Sequence, residues 1–338
     1  MLISNKSDEE ENKTCLAVGG QALIEGVMMK GTNAVGIAVR TLDGNIVKKV
    51  EPINSKVKKY KLDKIPFIRG IFNFGSSMII GTKALMFSAQ LFDIEETEEE
   101  KQKREKKETK NKNGKEKKIK TEEEKAKSEE KLKNFIIWFS VVIGILFSAG
   151  LFIVLPNLLS FFIVPEDNVR LYNFLEAVLK FAIFFIYLVL VSQMKDIQRI
   201  FEYHGAEHKT IACYENNLEL TVENIKKQTR FHPRCGTNFM IIVLIISVII
   251  FCLIGRYDNW LINIGYRLLL LPLVAGIAYE LIRLVGKTKN RVLKLIALPG
   301  LWLQRLTTKE PDDSQIEVAI EALKLAVETE KVEINGKN

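Results

Sequence analysis

Four long apolar blocks decide what this chain can become. Phe135 to Leu155, Leu171 to Gln193, Phe239 to Gly255 and Trp260 to Leu281 are apolar almost throughout. At a rise of about 1.5 Å per residue, each is long enough as a helix to cross roughly 30 Å of hydrocarbon. A chain of 338 residues would ordinarily divide into soluble domains, but apolar residues gathered into blocks do not build soluble cores. The expected fold is therefore a mainly α-helical polytopic membrane protein. It has about four transmembrane helices, further interfacial or re-entrant helices, and a small N-terminal β unit. The mean hydropathy of +0.06 hides this, because a highly charged stretch offsets the spans.

Orientation follows from the loops. Lys and Arg are dense before Asn134, between Gln193 and Asn238, and after Leu281, whereas Pro165 to Arg170 and Arg256 to Asn259 hold one arginine each. Positive charge stays on the cytoplasmic side, which puts both termini and the loop 194–237 in the cytoplasm of a cell whose inner (plasma) membrane carries the spans. The polar start, Met1 to Lys13, has no apolar core of a cleavable signal peptide. In a reducing compartment the four cysteines are not expected to form disulfides, and Cys252 lies inside a span.

Along the chain, residues 1–13 read as a disordered tail and 14–64 as a small cytoplasmic β unit. Within it, Ala34 to Arg40 and Ile46 to Glu51 are strand-like and joined by Asp43-Gly44, a dipeptide suited to a tight hairpin turn. Glycines 19, 20, 26, 31 and 36 lack the Lys-Ser/Thr that would follow in a phosphate-binding loop, so they serve turns and close backbone packing. Segment 65–92 is apolar but carries Lys83 near its middle and basic flanks on both sides. An interfacial or re-entrant helix fits it better than a fifth span. Segment 93–133 is a Glu/Lys run with almost nothing to bury, a disordered linker. Its charges nearly cancel and it has no interleaved aromatics, so no specific nucleic-acid partner is expected. The membrane domain runs over 134–310, and Val292 to Leu306, broken by Pro299-Gly300, is too short to span. Finally, 311–330 is an amphipathic helix with one apolar stripe of Ile316, Ala319, Ile320, Leu323 and Val327.

All three histidines of the chain fall in the cytoplasmic loop 194–237. His204-Gly-Ala-Glu207-His208 reads H-x-x-E-H, the inverzincin order, in which two histidines hold zinc and the glutamate activates water. On a helix the two imidazoles share a face, with Cβ atoms about 5–6 Å apart. Ile197, Phe201, His204, His208 and Ile211 repeat every three or four residues, as if the helix of the second span continued out of the membrane and turned both histidines towards protein. His232 and Cys235 follow in Phe-His-Pro-Arg-Cys-Gly, where proline and Gly236 shape a rigid loop at the mouth of the third span. Consecutive antiparallel spans bring that loop back beside His204 and His208. Glu280, near the cytoplasmic end of the fourth span, is a further candidate ligand, or the partner of a nearby cation such as Arg283.

GQALIEGVMM (20–29), YHGAEHKT (203–210), HPRCGT (232–237) and PGLWLQ (299–304) together resemble the YqhQ-like family of bacterial membrane proteins, a family built around a domain of unknown function. The resemblance covers the chain from about Cys15 to Thr329, apart from the charged linker. It implies the label its members carry, predicted metal-dependent enzyme. Carried over, that label falls on His204, Glu207, His208, His232 and Cys235.

Two functions follow. In one, zinc on His204, His208 and either His232 or Glu280 activates water, Glu207 takes its proton, and a bond near the bilayer surface is hydrolysed. In the other, Cys235 completes a closed structural site, or hydrogen bonds alone tie the second span to the third. The protein is then a scaffold or assembly partner in membrane-protein biogenesis. An open coordination position separates the two.

Overall fold

The computed structural model describes residues 18–53, 65–91, 122–287 and 295–335; of 122–134, 137 and 328–335 it describes the backbone alone. The expected tail, 1–13, lies outside these residues, as do 92–121 of the charged run and 54–64 of the β unit.

In chain order the elements are β1 (Gly19–Leu23), β2 (Gly26–Lys30), β3 (Ala34–Arg40), β4 (Ile46–Pro52) and α1 (Ile68–Leu91). Next come α2 (Glu122–Ala149), a π-helical turn (Gly150–Val154), α3 (Leu155–Ile163), α4 (Val169–Ser192), α5 (Lys195–Glu215) and α6 (Val222–Lys226). The chain ends with α7 (Gly236–Ile254), α8 (Trp260–Lys287), a 3-10 turn (Leu295–Ala297), α9 (Leu298–Thr307) and α10 (Asp313–Asn335). Among the described residues, four helical stretches are long and apolar enough to cross a membrane: Trp138–Ile163, Val169–Ser192, Gly236–Ile254 and Trp260–Val285. They coincide with the four apolar blocks, and side chains such as Leu253 and Leu269 stand out from them exposed, as lipid-facing residues do.

The chain forms two compact units. One comprises 1–88, 185–254 and 269–338, the other 89–184 and 255–268.

The first unit holds a four-stranded antiparallel meander in the order β1-β2-β3-β4. Thr41 to Asn45 close the hairpin between β3 and β4, with Gly44 at φ 82, so Asp43-Gly44 turns the chain as its sequence predicts. β1 and β2, which glycines and methionines disguise, are joined by Ile24-Glu25, with Glu25 at φ 49. Its carboxylate accepts bonds from Arg199 and from the Tyr203 hydroxyl at 3.1 Å, which lock α5 to the hairpin. Register puts Gly20, Ala22, Val27, Met29 and Ala38 on one face of the sheet. On that face Val27, Met29 and Ala38 pack with Tyr203, Ala206 and Ile211 of α5 and with Ile316, Ala319 and Leu323 of α10. A Cβ at Gly36 would lie 2.3 Å from the Ala322 carbonyl, so α10 rests with its backbone directly on β3. Asp312 caps α10 by accepting the Gln315 N–H at 2.9 Å.

α4 and α5 are separate helices. The continuous helix expected from the second span breaks at Met194, whose backbone is extended (φ −70, ψ 130). Asp196 then supplies an acidic residue in the first turn of α5, favourable at a helix N-terminus. α2 begins at Glu122, so the charged run is helical from there to the span.

The second unit encloses polar groups at span depth. Arg267 grips both carboxylate oxygens of Glu176, at 2.8 Å through Nε, and Lys180 lies 3.5 Å from the same carboxylate. The Asn263 carbonyl and the Tyr172 hydroxyl accept from Arg267 at 3.1 and 3.3 Å, and the Asn157 amide stands 2.7 Å from that hydroxyl.

Candidate metal centre

α5 carries His204, Glu207 and His208 on the side turned into the first unit. Gly205 permits it, because a Cβ there would sit 1.9 Å from the Lys309 carbonyl, and the Lys309 N–H donates to the Phe201 carbonyl at 2.9 Å. The segment after α9 therefore presses directly on the histidine helix.

The two imidazoles are held alike. His204 places Nδ1 2.9 Å from the Thr307 carbonyl, and His208 places Nδ1 2.5 Å from the Arg230 carbonyl. A carbonyl only accepts, so both Nδ1 atoms carry the proton and both Nε2 atoms present a lone pair. His204 Nε2 lies 3.1 Å from Cys235 Sγ. His208 Nε2 is sealed from solvent and makes no hydrogen bond, although its ring stacks edgewise on His204 at 4.4 Å between centroids. Burial pushes the His208 imidazole below its usual range, against the opposing pull of the Cys235 side chain.

Cys235 immediately precedes α7, where helix N–H groups favour negative charge. The Thr237 N–H and hydroxyl approach Sγ at 3.5 and 3.3 Å. The ligand atoms of His204, His208 and Cys235 all lie within 4.8 Å of one another. Around tetrahedral zinc, with bonds of about 2.0–2.3 Å, such atoms stand roughly 3.3–3.8 Å apart. The set needs to draw in by about 1 Å, and its chemistry, two imidazole nitrogens and one thiol sulfur, suits zinc.

Glu207 stands beside this trio. Gly20 of β1 donates its N–H to the Glu207 carboxylate, while Oε2 is buried without a hydrogen bond. Burial raises the Glu207 carboxyl above the ordinary range, against the opposing pull of His204, His232 and the Gly20 N–H. β1 fits here only with glycine: a Cβ at Gly20 would meet Cγ and Cδ of Glu207 at 2.8 Å.

His232 comes close but points elsewhere. Its ring centroid is 5.7 Å from that of His208, yet its Nε2 faces Glu215 at 3.4 Å, and Glu215 is also ion-paired with Arg234. Gln304 of α9 clamps the His232 backbone, accepting its N–H and donating to its carbonyl, each at 2.8 Å. Glu280 is not among the grouped ligand atoms. Its carboxylate is held by Arg69 of α1, at 2.6 Å through Nε, and by the Phe67 N–H at 3.3 Å. Sequence reasoning offered Glu280 either a metal or an interface cation, Arg283 or another; the cation is Arg69, far away in sequence. Glu215, Gln304 and the carbonyls of Arg230 and Thr307 were not singled out from sequence, and Gly20 was read only as one of the glycines serving turns and close packing. Gly20 and Gln304 do lie in GQALIEGVMM and PGLWLQ, the stretches that carried the resemblance.

Comparison with known proteins bears on the whole chain. Residues 65–329 match the model of a family described as Protein of unknown function (DUF1385). Over 318 residues, 92% of each chain, the sequence is 35% identical to a Bacillus subtilis (strain 168) protein named Uncharacterized protein YqhQ. No solved structure matches the chain.

Proposed function

Because this chain belongs to the DUF1385 family, whose description assigns no reaction, we propose its function from its own site. It is a multi-span membrane protein that holds zinc on His204, His208 and Cys235 and uses Glu207 to hydrolyse a bond close to the bilayer surface. One observation carries this reading: both histidines spend Nδ1 on a backbone carbonyl, which leaves His204 Nε2 against Cys235 and His208 Nε2 buried near the same sulfur without a hydrogen bond of ordinary length. Metal-ligating histidines are oriented in this way, by an acceptor on the other ring nitrogen. A buried polar atom left without a bond costs about 1–3 kcal/mol, so the arrangement calls for a ligand.

When bound, zinc with three protein ligands supplies Lewis acidity at its remaining position. The protein's own part falls to Glu207. One side of its carboxylate is fixed by Gly20 and the other is free, so it can take a proton from water and return it to a leaving group without moving. A carboxyl raised by burial is suited to both transfers. His232, steadied by Gln304 and Glu215, stands on the far side of His208.

A second reading has an observation of its own. The His204–Cys235 contact at 3.1 Å joins α5 to the start of α7, as a structural staple in a scaffold for membrane-protein biogenesis would. The two part on Glu207→Gln and Gly20→Ala in full-length protein purified in detergent. The hydrolytic reading expects both variants to retain wild-type zinc. It also expects neither to complement a strain lacking the gene, since moving a catalytic group by about 1 Å costs roughly 100-fold. Full complementation by Glu207→Gln would leave the staple.

By its loop charges the protein lies in the inner membrane, with α5 and both termini on the cytoplasmic side. Cysteines placed at Asn216 to Lys227 should then resist membrane-impermeant maleimide applied to intact cells. Ready labelling there would reverse the orientation.

A further inference from the structure

We propose that α1 lies in the cytoplasmic leaflet of the bilayer, with lipid acyl chains as the partner of its open face, and so forms the layer between the sheet and the membrane. The two sides of this helix differ in kind. On one, Gly70, Gly81, Ala84 and Ser88 are buried. On the other, Ile68, Ile71, Phe72, Met78, Ile79 and Leu85 are exposed. At 3.6 residues per turn these six fall in a single apolar stripe opposite the small residues.

The small side is committed to protein along its whole length. A Cβ at Gly70 would meet the Tyr279 side chain of α8 at 2.9 Å, and one at Gly81 would collide with the Gln21 side chain of β1. Asn73 donates to the Tyr279 hydroxyl, and the Lys30 ammonium to the Ser77 hydroxyl, each at 3.0 Å. Lys49 stands over the Phe87 ring at 4.8 Å from its centroid. Register puts Gln21, Lys30 and Lys49 on the face of the sheet opposite Gly20. α1 therefore covers the side of the sheet that α5 and α10 leave, and the stripe points away from it.

What meets the stripe follows from where α1 starts. The Phe67 carbonyl lies 3.0 Å from where a Cβ of Gly276 would stand, and Arg69 holds Glu280. Gly276 and Glu280 both belong to the membrane-crossing stretch Trp260–Val285, and Leu273 and Leu284 on either side of them are exposed as lipid-facing residues are. The Phe74 ring is 4.9 Å from that of Phe239, in the first turn of α7. The first turns of α1 thus sit at acyl-chain depth against the cytoplasmic ends of two spans. α1 is not one of the helices apolar enough to cross, and it runs on from α8 to the sheet. A stripe that continues from the lipid-facing side of a span meets the same hydrocarbon, as in an interfacial helix. Lys83, exposed at the edge of the stripe, can reach the headgroups with its ammonium while its stem stays among apolar atoms.

The test places the photo-crosslinking amino acid p-benzoylphenylalanine at Phe72 or at Ile79 of the full-length protein, in nanodiscs of phosphatidylcholine and phosphatidylglycerol. Leu269, exposed on α8, is the lipid-facing reference, and Lys324, exposed on α10 across the sheet from α1, is the aqueous one. All four side chains are exposed, so the replacement disturbs no core, and either position on α1 serves if the other fails to fold. After irradiation, intact-mass measurement is expected to show phospholipid adducts at Phe72 and Ile79 as abundant as at Leu269, and none at Lys324. Adducts at Leu269 with none at Phe72 and Ile79 would overturn the inference. So would covalent dimers formed through Phe72 or Ile79 in native membranes, which would give the stripe to a second copy of the chain.

Discussion

Glu176→Gln is expected to cost about 3–5 kcal/mol of stability, the usual consequence of removing one partner from a buried ion pair. Glu176, Lys180 and Arg267 are each at most 4% exposed at span depth. The substitution leaves shape almost unchanged but takes away the carboxylate that Arg267 holds through two nitrogens and Lys180 approaches at 3.5 Å. Hydrocarbon offers no water to replace it. Thermal unfolding of the purified protein in detergent checks this, and the double variant Glu176→Gln, Arg267→Gln should recover part of the loss because it withdraws a cation too. A single variant that melts with the wild type would mean that the carboxylate is not what holds these helices together.

The second large effect belongs to the candidate centre. His208→Ala should lower zinc affinity by well over the roughly 100-fold that follows loss of a residue merely orienting a ligand, because it deletes one of only three protein donors. His232→Ala should keep the metal, since that imidazole gives its Nε2 to Glu215. Zinc content after dialysis against graded chelator distinguishes the two. Equal loss in both variants would place His232 in the ligand set, whereas full retention in His208→Ala would rule out the trio of His204, His208 and Cys235.

The spans were legible because burial in lipid demands long uninterrupted apolar runs, a constraint that acts on every residue at once. The β3–β4 hairpin was legible through one backbone requirement, the positive φ that Gly44 meets. β1 and β2 were not, because their sequence is chosen for contact rather than period: Gly20 must lie against Glu207 and Gly26 against Val39, where a Cβ would come within 2.8 Å. The grouping of His204, His208 and Cys235 could be anticipated from spacing and from the return of an antiparallel span. The turning of His232 to Glu215 could not, nor could the choice of Arg69 as the cation that holds Glu280. Each was decided by a partner remote in sequence or unremarkable in itself, Arg69 on α1 for Glu280 and Glu215 for His232. The break at Met194 escaped because periodicity does not register one extended residue.

The N-terminal sheet and the C-terminal helix α10 share a single core. A ribosome makes β1 to β4 before the four spans and α10 after them. Until then the face of β3 on which the Ala322 backbone comes to rest is open, and so are Val27, Met29 and Ala38, which stand on the same side of the sheet as Gly20. The strand that steadies Glu207 is thus seated only once α10 has been made. A chain cut short before Asp313 would carry every candidate ligand and still lack the support behind its glutamate, so the order of manufacture itself delays the centre until the membrane helices are in place.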